Sequence, residues 1–361
     1  MTLNPSGRPD LMSTGLEIAL VTDAWEPQVN GVVRTWRRVI AECEAMGHRV
    51  QIISPADFLT VPMPTYGEIR LALFPGAGVR RALENMGPDA VHIATEGPLG
   101  YAARRWCRAQ GVPFTTSYHT RFPEYVTARV PLPLGWCYAV VRRFHRHSDA
   151  VLVATPTMRR ELEQHGFRNI VDWTRGVDSD LFRPDGEKAW QGGRPLFLYV
   201  GRVAVEKNLR GFLDLELPGT KAVVGGGPQL SELVRDYPEV LFTGPKFGEQ
   251  LASWYRSASV FVFPSRTDTF GLVLLEAMAS GVPVAAFPVA GPLDVVGPGG
   301  PGVLSENLGA AAIAALGIPA EECVAHARGF SWRATASIFL NNLALTDRRA
   351  TDDFRPERGA D

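Results

Sequence analysis

Two carboxylates eight positions apart, Asp268 and Glu276, enclose the sequence Phe270, Gly271, Leu272. Asp268 falls in a polar loop after the apolar run Val260–Phe263, and Glu276 falls in the second turn of a helix whose apolar positions include Leu272, Leu275 and Ala279. Strand, loop and helix in that order bring both carboxylates to the crevice beyond the strand's carboxyl end. The amides of Phe270, Gly271 and Leu272 are the unpaired donors of a helix N-terminus, which suits an anion. Gly271 lets a ligand come close to the backbone. Acids beside an anion-binding amide cluster fit a ligand that is both anionic and rich in hydroxyls, although a single carboxylate at a helix start equally serves as a cap or a dipole partner.

Cations follow the same logic. Arg202 ends the strand-like run that starts at Leu196, and Lys207 comes five residues later at the start of the helical stretch Asn208–Leu213. Placed at strand carboxyl ends, the two suit a diphosphate; singly, either reads as a surface cation. Gly226, in the run Gly225–Gly227 after another strand, leaves room for a nucleotide near the backbone and is equally a simple turn. Gly31 lies between the first strand and the first helix, a joint that binds phosphate in many folds. His119 directly follows the apolar strand Pro113–Ser117, where a histidine is either a structural hydrogen-bonder or a site residue.

The spacing of Asp268 and Glu276, with Phe270–Gly271 inside it and Ala277–Gly281 after it, resembles the signature of the family 4 retaining glycosyltransferases. The usual first acid is glutamate; here it is the shorter Asp268, which bears on the donor sugar's identity. The resemblance implies that Asp268 contacts the transferred sugar, Glu276 the nucleotide ribose, and Arg202 and Lys207, within Val200–Leu209, the leaving nucleoside diphosphate. It further implies that Asn30–Thr35 closes over the donor's phosphates and that His119, within Tyr118–Thr120, reaches the sugar's 6-position across a cleft and supports charge at the anomeric carbon. Arg175, in a Gly-Val-Asp segment, is a further candidate for the donor. The resemblance covers residues 17 to about 296.

The elements needed to position these residues are legible in the chain. Strands are expected at 17–23, 50–54, 69–73, 90–94, 113–117 and 150–154, with helical patterns between most of them, and a second set at 196–202, 221–224, 239–242, 260–263 and 282–287. Apolar strands alternating with helices imply parallel sheets covered on both faces, an α/β class. The Pro/Gly-rich stretch 184–195 reads as the linker. The expected organisation is therefore a first Rossmann-like domain over 1–183 and a second over 184–345, with a last helix at about 332–345 returning to the first and a disordered tail over 346–361. This is the GT-B architecture, two doubly wound domains facing a central cleft.

At 361 residues, 45% hydrophobic and 21% charged, the chain is an ordinary globular sequence long enough for two cores. Its net charge of -1 gives no reason to expect a nucleic-acid partner. The charge is uneven: residues 1–183 hold 21 arginines, no lysine and 18 acids, a surplus of +3, against -4 for the rest. Four cysteines without metal-ligand spacing read as reduced structural thiols. No basic-then-apolar leader and no run of roughly 18 apolar residues is found, so a cytoplasmic protein, or one peripheral to the inner face of the membrane, is expected.

The apolar stretch 130–141 followed by Arg142, Arg143 and Arg146 would suit an anionic membrane surface, and would equally suit a buried helix with a basic end. Tyr118–Tyr125, Arg143–Arg146 and Trp173–Asp178 are similar to the sulfoquinovosyl and glucuronosyl diacylglycerol synthases, and related α-mannosyltransferases share much of this. The expected activity is retaining transfer of a hexose or hexuronic acid from a nucleotide sugar, a UDP-sugar in the first instance, to a lipid such as diacylglycerol. No Asp-x-Asp motif sits at a strand end, so neither a metal nor a cofactor beyond the co-substrate is expected. The competing expectations are a GDP-mannose-dependent α-mannosyltransferase, a nucleotide-sugar epimerase of the same architecture, and a non-catalytic nucleotide-sugar-binding protein.

Overall fold

Apolar runs bounded by turns become two parallel sheets in a computed structural model that describes residues 15–28, 30–63, 66–127, 130–193, 195–268 and 270–346. The strands of the first part of the chain are β1 (Glu17–Val21), β2 (Arg49–Ile53), β3 (Thr60–Met63), β4 (Tyr66–Ala72), β5 (Ala90–Ile93), β6 (Thr115–Tyr118), β7 (Val151–Val153) and β8 (Ile170–Asp172). Those of the second are β9 (Leu196–Val200), β10 (Thr220–Val224), β11 (Leu241–Phe242), β12 (Val260–Phe263), β13 (Val284–Ala286) and β14 (Gly302–Leu304). The first sheet runs β2-β1-β5-β6-β7-β8 and the second β11-β10-β9-β12-β13-β14. Every neighbouring pair in both is parallel.

Central strands buried on both faces explain why their sequences read as continuous apolar runs: β9 and β12 are buried at every position. The core of the first sheet gathers Ala19, Val21, Val91, Ile93, Leu99 and Phe114; that of the second gathers Phe197, Tyr199, Phe212, Val223, Val260 and Val262. In each sheet the chain order reverses once, between β1 and β5 and between β9 and β12. A doubly wound sheet binds ligands beyond the strand carboxyl ends at such a reversal.

The structure differs from the sequence expectation in several places. The strand expected at 69–73 is not in the parallel sheet; it is β4, paired antiparallel with β3 in a separate hairpin. The sheets gain edge strands β8 and β14, short and partly exposed and so without a clear apolar run. The chain divides into one compact unit holding residues up to Ala154, Arg159–Trp173 and Thr335 onward, and a second holding Thr155–Met158 and Thr174–Ala334.

The expected linker 184–195 therefore lies within the second unit, and the physical reason is its hydrogen bonding. Ala189 N donates to Ser253 O, Trp190 N to Ser257 Oγ, and Arg256 Nε to Glu187 O, fastening the stretch to the helix Gly248–Ser257. The last helix is Trp332–Asn341, and residues 342–346 after it are not helical: Leu345 bridges to Ala90 and Thr346 N donates to Asp89 O. Thr346, expected to begin the disordered tail, is thus bonded in place, and the rest of that tail, 347–361, lies outside the described residues, as do the first 14 residues.

Candidate active site

In the second unit the loops leaving β9 and β12, the two strands at the chain reversal, are tied to each other by three contacts. Beyond β9 the chain makes a short 3-10 turn, Val205–Lys207, and Asn208 then adopts a left-handed conformation with φ 52°. Lys207 thus ends a turn and does not begin a helix as expected; the helix starts only at Arg210, because Asn208 breaks the repeat. Asn208 Nδ2 donates to Pro264 O at 3.1 Å, at the end of β12, and Thr267 Oγ1 donates to Glu206 O at 3.3 Å. The third contact is ionic: Lys207 Nζ lies 2.5 Å from Asp268 Oδ1.

Asp268 is therefore half engaged. Its Oδ2 is buried and has no partner among the described residues. An unpaired buried carboxylate oxygen costs about 1–3 kcal/mol, a cost that a hydroxyl donor would remove. Two residues further, Phe270 is buried and Gly271 turns the chain at φ 86° as the N-cap of the helix Leu272–Ala279, with no side chain among the described residues capping its amides. The helix is buried almost all round, not only on the face of Leu275 and Ala279.

Glu276 sits inside it, 4% exposed, with Oε2 accepting from Tyr255 Oη at 2.9 Å. Tyr255 belongs to the apolar face of the helix Gly248–Ser257 and looks like core from its spacing alone. Its hydroxyl is the signal, since a buried tyrosine needs a partner. Arg175 is 3% exposed, lies 6.0 Å from the Phe270 ring centroid, and has its guanidinium pushed down to about 9 by burial.

The three glycines after β10 separate by function. A Cβ on Gly225 would stand 1.8 Å from Gly201 O, and one on Gly227 would stand 2.3 Å from Val203 O, so close strand-to-loop packing demands both. A Cβ on Gly226 would meet Pro245 Cδ at an ordinary 3.6 Å, so internal packing does not demand this one.

His119 and Gly31 belong to the first unit. Gly31 opens the helix Gly31–Ala45, where a Cβ would meet nothing within 4 Å. Asn30 Oδ1 already accepts from Val32 N and Val33 N, at 3.0 and 3.1 Å, so two of the amides expected to face phosphate carry a side-chain cap. His119, just past β6, receives Trp36 Nε1 on its Nε2 at 3.0 Å and has Ser117 Oγ at 2.9 Å. The resulting groups are a cation-acid pair, a second acid held by a phenol and an uncapped helix start in one unit, and a hydrogen-bonded histidine in the other.

Comparisons with known proteins give the family and the fold. The Glycosyltransferase Family 4 profile matches residues 29–181, and that of Glycosyl transferases group 1 matches residues 194–317. A GDP-mannose-dependent alpha-mannosyltransferase of Mycobacterium tuberculosis is 31% identical over 316 residues, covering 80% of this chain and 84% of that protein. The sulfoquinovosyl transferase SQD2 of Arabidopsis thaliana is 30% identical over 331 residues, covering 80% of this chain and 62% of its own. The crystal structure of Anabaena HepE in complex with UDP and glucose superposes with a TM-score of 0.70 at 15% identity, over 90% of this chain and 98% of that one. That likeness gives the fold: two Rossmann-like α/β sheets of the GT-B class, as expected from the sequence.

Proposed function

The chain belongs to the family 4 glycosyltransferases, and from that premise we propose that it transfers a hexose or hexuronic acid from a nucleotide sugar to a lipid hydroxyl, with retention of configuration and without a metal. The observation that carries this reading is the pair Lys207–Asp268 at the chain reversal of the second sheet, with Asp268 Oδ2 buried and unpartnered. A sugar hydroxyl is the donor that this oxygen lacks. Glu276, fixed by Tyr255, takes the ribose hydroxyls, and Gly226 leaves the nucleotide room.

The chemistry follows from charge. As the bond between the anomeric carbon and the diphosphate oxygen breaks, the carbon gains oxocarbenium character and the leaving group gains negative charge. Arg202, Lys207 and the amides of Phe270, Gly271 and Leu272 stabilise the diphosphate. The acceptor oxygen forms its bond to the anomeric carbon on the face from which the diphosphate departs, and its proton passes to a phosphate oxygen. His119 hydrogen-bonds the sugar at its 6-position. Turnover in the presence of a chelator tests the absence of a metal; loss of activity restored by a divalent cation would refute it.

A lipid acceptor is supported by the surface of the first unit. The helix Leu134–His145 buries Cys137, Tyr138 and Phe144 but leaves Leu134, Trp136 and Val140 exposed, and Val130 and Leu132 are exposed just before it. Arg142, Arg143 and Arg146 follow on the exposed side. An apolar stripe ending in arginines suits the inner, anionic face of a membrane. Among the described residues no single helix is long and apolar enough to cross one. A sulfoquinovosyl transferase and an alpha-monoglucosyldiacylglycerol synthase are among the relatives. The second reading is GDP-mannose-dependent α-mannosyl transfer, favoured by three relatives of that name at 30 to 32% identity.

Thermal unfolding with UDP, with GDP and with neither tests the proposal. A ligand at about a hundred times its dissociation constant adds about 2.7 kcal/mol to the native state. A shift with UDP alone supports the glycolipid-synthase reading, and a shift with GDP alone supports mannosyl transfer. No shift with either would overturn the assignment of Arg202, Lys207 and Glu276 to a donor site. Product analysis with and without diacylglycerol then separates transfer from epimerisation and from binding alone.

A further inference from the structure

His119 is held by atoms that leave it one protonation state. Trp36 Nε1 lies 3.0 Å from His119 Nε2, with its hydrogen directed at that nitrogen. An indole N–H can only donate. His119 Nε2 must therefore present its lone pair, which puts the ring's proton on Nδ1. A second proton on Nε2 would face the indole donor head on.

Ser117 Oγ, 2.9 Å from the same Nε2, belongs to a buried chain: it also meets His92 Nε2 at 3.1 Å, and His92 Nδ1 meets Thr115 Oγ1 at 2.8 Å. His92 is fully buried and pushed down to about 3 by burial, with a smaller contribution from His145, so it is a neutral member of the chain. Trp36 cannot turn away. It is fully buried, and its ring packs against His92 at 4.8 Å, Trp173 at 5.0 Å and Phe339 at 5.2 Å between centroids.

We propose that Trp36 is a positioning residue that locks His119 in the neutral Nδ1–H tautomer, so that His119 stands in the donor site as an uncharged ring and not as a base. The inference rests on the reading of His119 as a donor-site residue. Its chemical sense lies in the charge of the reaction: an imidazolium would oppose the positive anomeric carbon, whereas a neutral ring adds no charge. Trp36 then does two things that its helical spacing shows only in part, filling the core and directing one proton.

The test combines nitrogen-15 NMR of histidine-labelled protein with kinetics of Trp36→Phe, which keeps the ring packing and removes the donor. His119→Gln assigns the signal. The wild type is expected to show His119 protonated on Nδ1 and bare on Nε2. In Trp36→Phe the ring changes tautomer or takes a second proton, and kcat falls by about tenfold, the worth of one hydrogen bond, while the donor KM changes little. Ser117→Ala retains the Nδ1–H form. A wild-type signal protonated on Nε2 overturns the proposal, as does a tautomer that follows Ser117 and ignores Trp36. If the wild-type tautomer is as stated but His119→Gln turns over at the wild-type rate, the tautomer assignment stands and the placing of His119 in the donor site falls.

Discussion

Tyr255 donates its phenol hydrogen to Glu276 Oε2 at 2.9 Å, from the buried face of one helix to another helix. The carboxylate read as the ribose ligand is thus aimed by a residue of an adjacent helix. Tyr255→Phe keeps the ring in the core and removes the donor. A loss of about 1–3 kcal/mol in stability is expected from the under-satisfied carboxylate, with nucleotide affinity weaker by several-fold. Thermal unfolding measures the first effect and calorimetric titration with the nucleotide that shifts the melting midpoint measures the second; unchanged affinity would confine Tyr255 to the core.

Lys207→Ala removes the only contact described for Asp268 Oδ1 and, on the proposed reading, a charge-assisted bond to the leaving diphosphate. Such bonds are worth roughly 1.5–3 kcal/mol, so turnover should fall at least about tenfold. Near-native steady-state turnover would remove Lys207 from the site.

Neighbouring glycines offer an internal control. Gly225→Ala would drive a Cβ into Gly201 O and should destabilise the second unit, visible as a lowered melting midpoint. Gly226→Ala meets only Pro245 at 3.6 Å, so its midpoint should hold while nucleotide binding weakens. Equal binding by wild type and Gly226→Ala would place the nucleotide elsewhere.

A proton count in the first unit gives a pH prediction. Tyr138 Oη lies 2.5 Å from Glu124 Oε1 and 2.7 Å from Glu161 Oε1, and Glu161 is ion-paired with Arg121. A phenol has one hydrogen to give, so one carboxyl must bring its own. That carboxyl is Glu124, raised above its ordinary 4.5 mainly by burial, with the Glu161 charge acting in the same direction. A raised folded-state value means stability present below about 4.5 and lost as pH rises through the folded value. Glu124→Gln supplies a permanent N–H donor. The melting midpoint of the variant relative to the wild type should therefore climb as pH rises from about 4.5 and then level off. A difference independent of pH would show that folding does not raise the Glu124 value above its ordinary one.

Trp136 is 59% exposed on the outer face of its helix. Replacing Trp136 and Val140 together by serine should leave the folding stability within about 0.5 kcal/mol of the wild type, since neither is core. Sedimentation with anionic vesicles at low salt should fall by at least about tenfold, each large apolar side chain being worth roughly 1.5–3 kcal/mol on burial. Undiminished sedimentation would clear this helix of a membrane role.

The parallel sheets were legible because fully buried strands write themselves as unbroken apolar runs, as in Val260–Phe263. Edge strands such as Ile170–Asp172 carry no such run. Asn208 was read as helical because periodicity registers side-chain burial and is blind to a single left-handed residue. Asp268 and Lys207 stood out as charges in loops after strands. Tyr255 and Trp36 did not, because a period of 3.6 marks them as apolar and says nothing of where one O–H or N–H is directed. The stretch at 184–195 shows the opposite error: prolines and glycines mark irregular backbone, and irregular backbone can still be bonded down along its length.

The first unit is closed by residues that follow the second unit in the chain. Trp36, His92 and Trp173 have Phe339 as a shared neighbour, and Trp173 Nε1 donates to Thr335 O at 2.9 Å. During synthesis the aromatic wall behind His119 therefore waits, incomplete, while the whole second unit is translated. A chain terminated before Thr335 would leave that wall open to water, and an early folding intermediate of this protein should carry it exposed to any chaperone that meets the nascent chain.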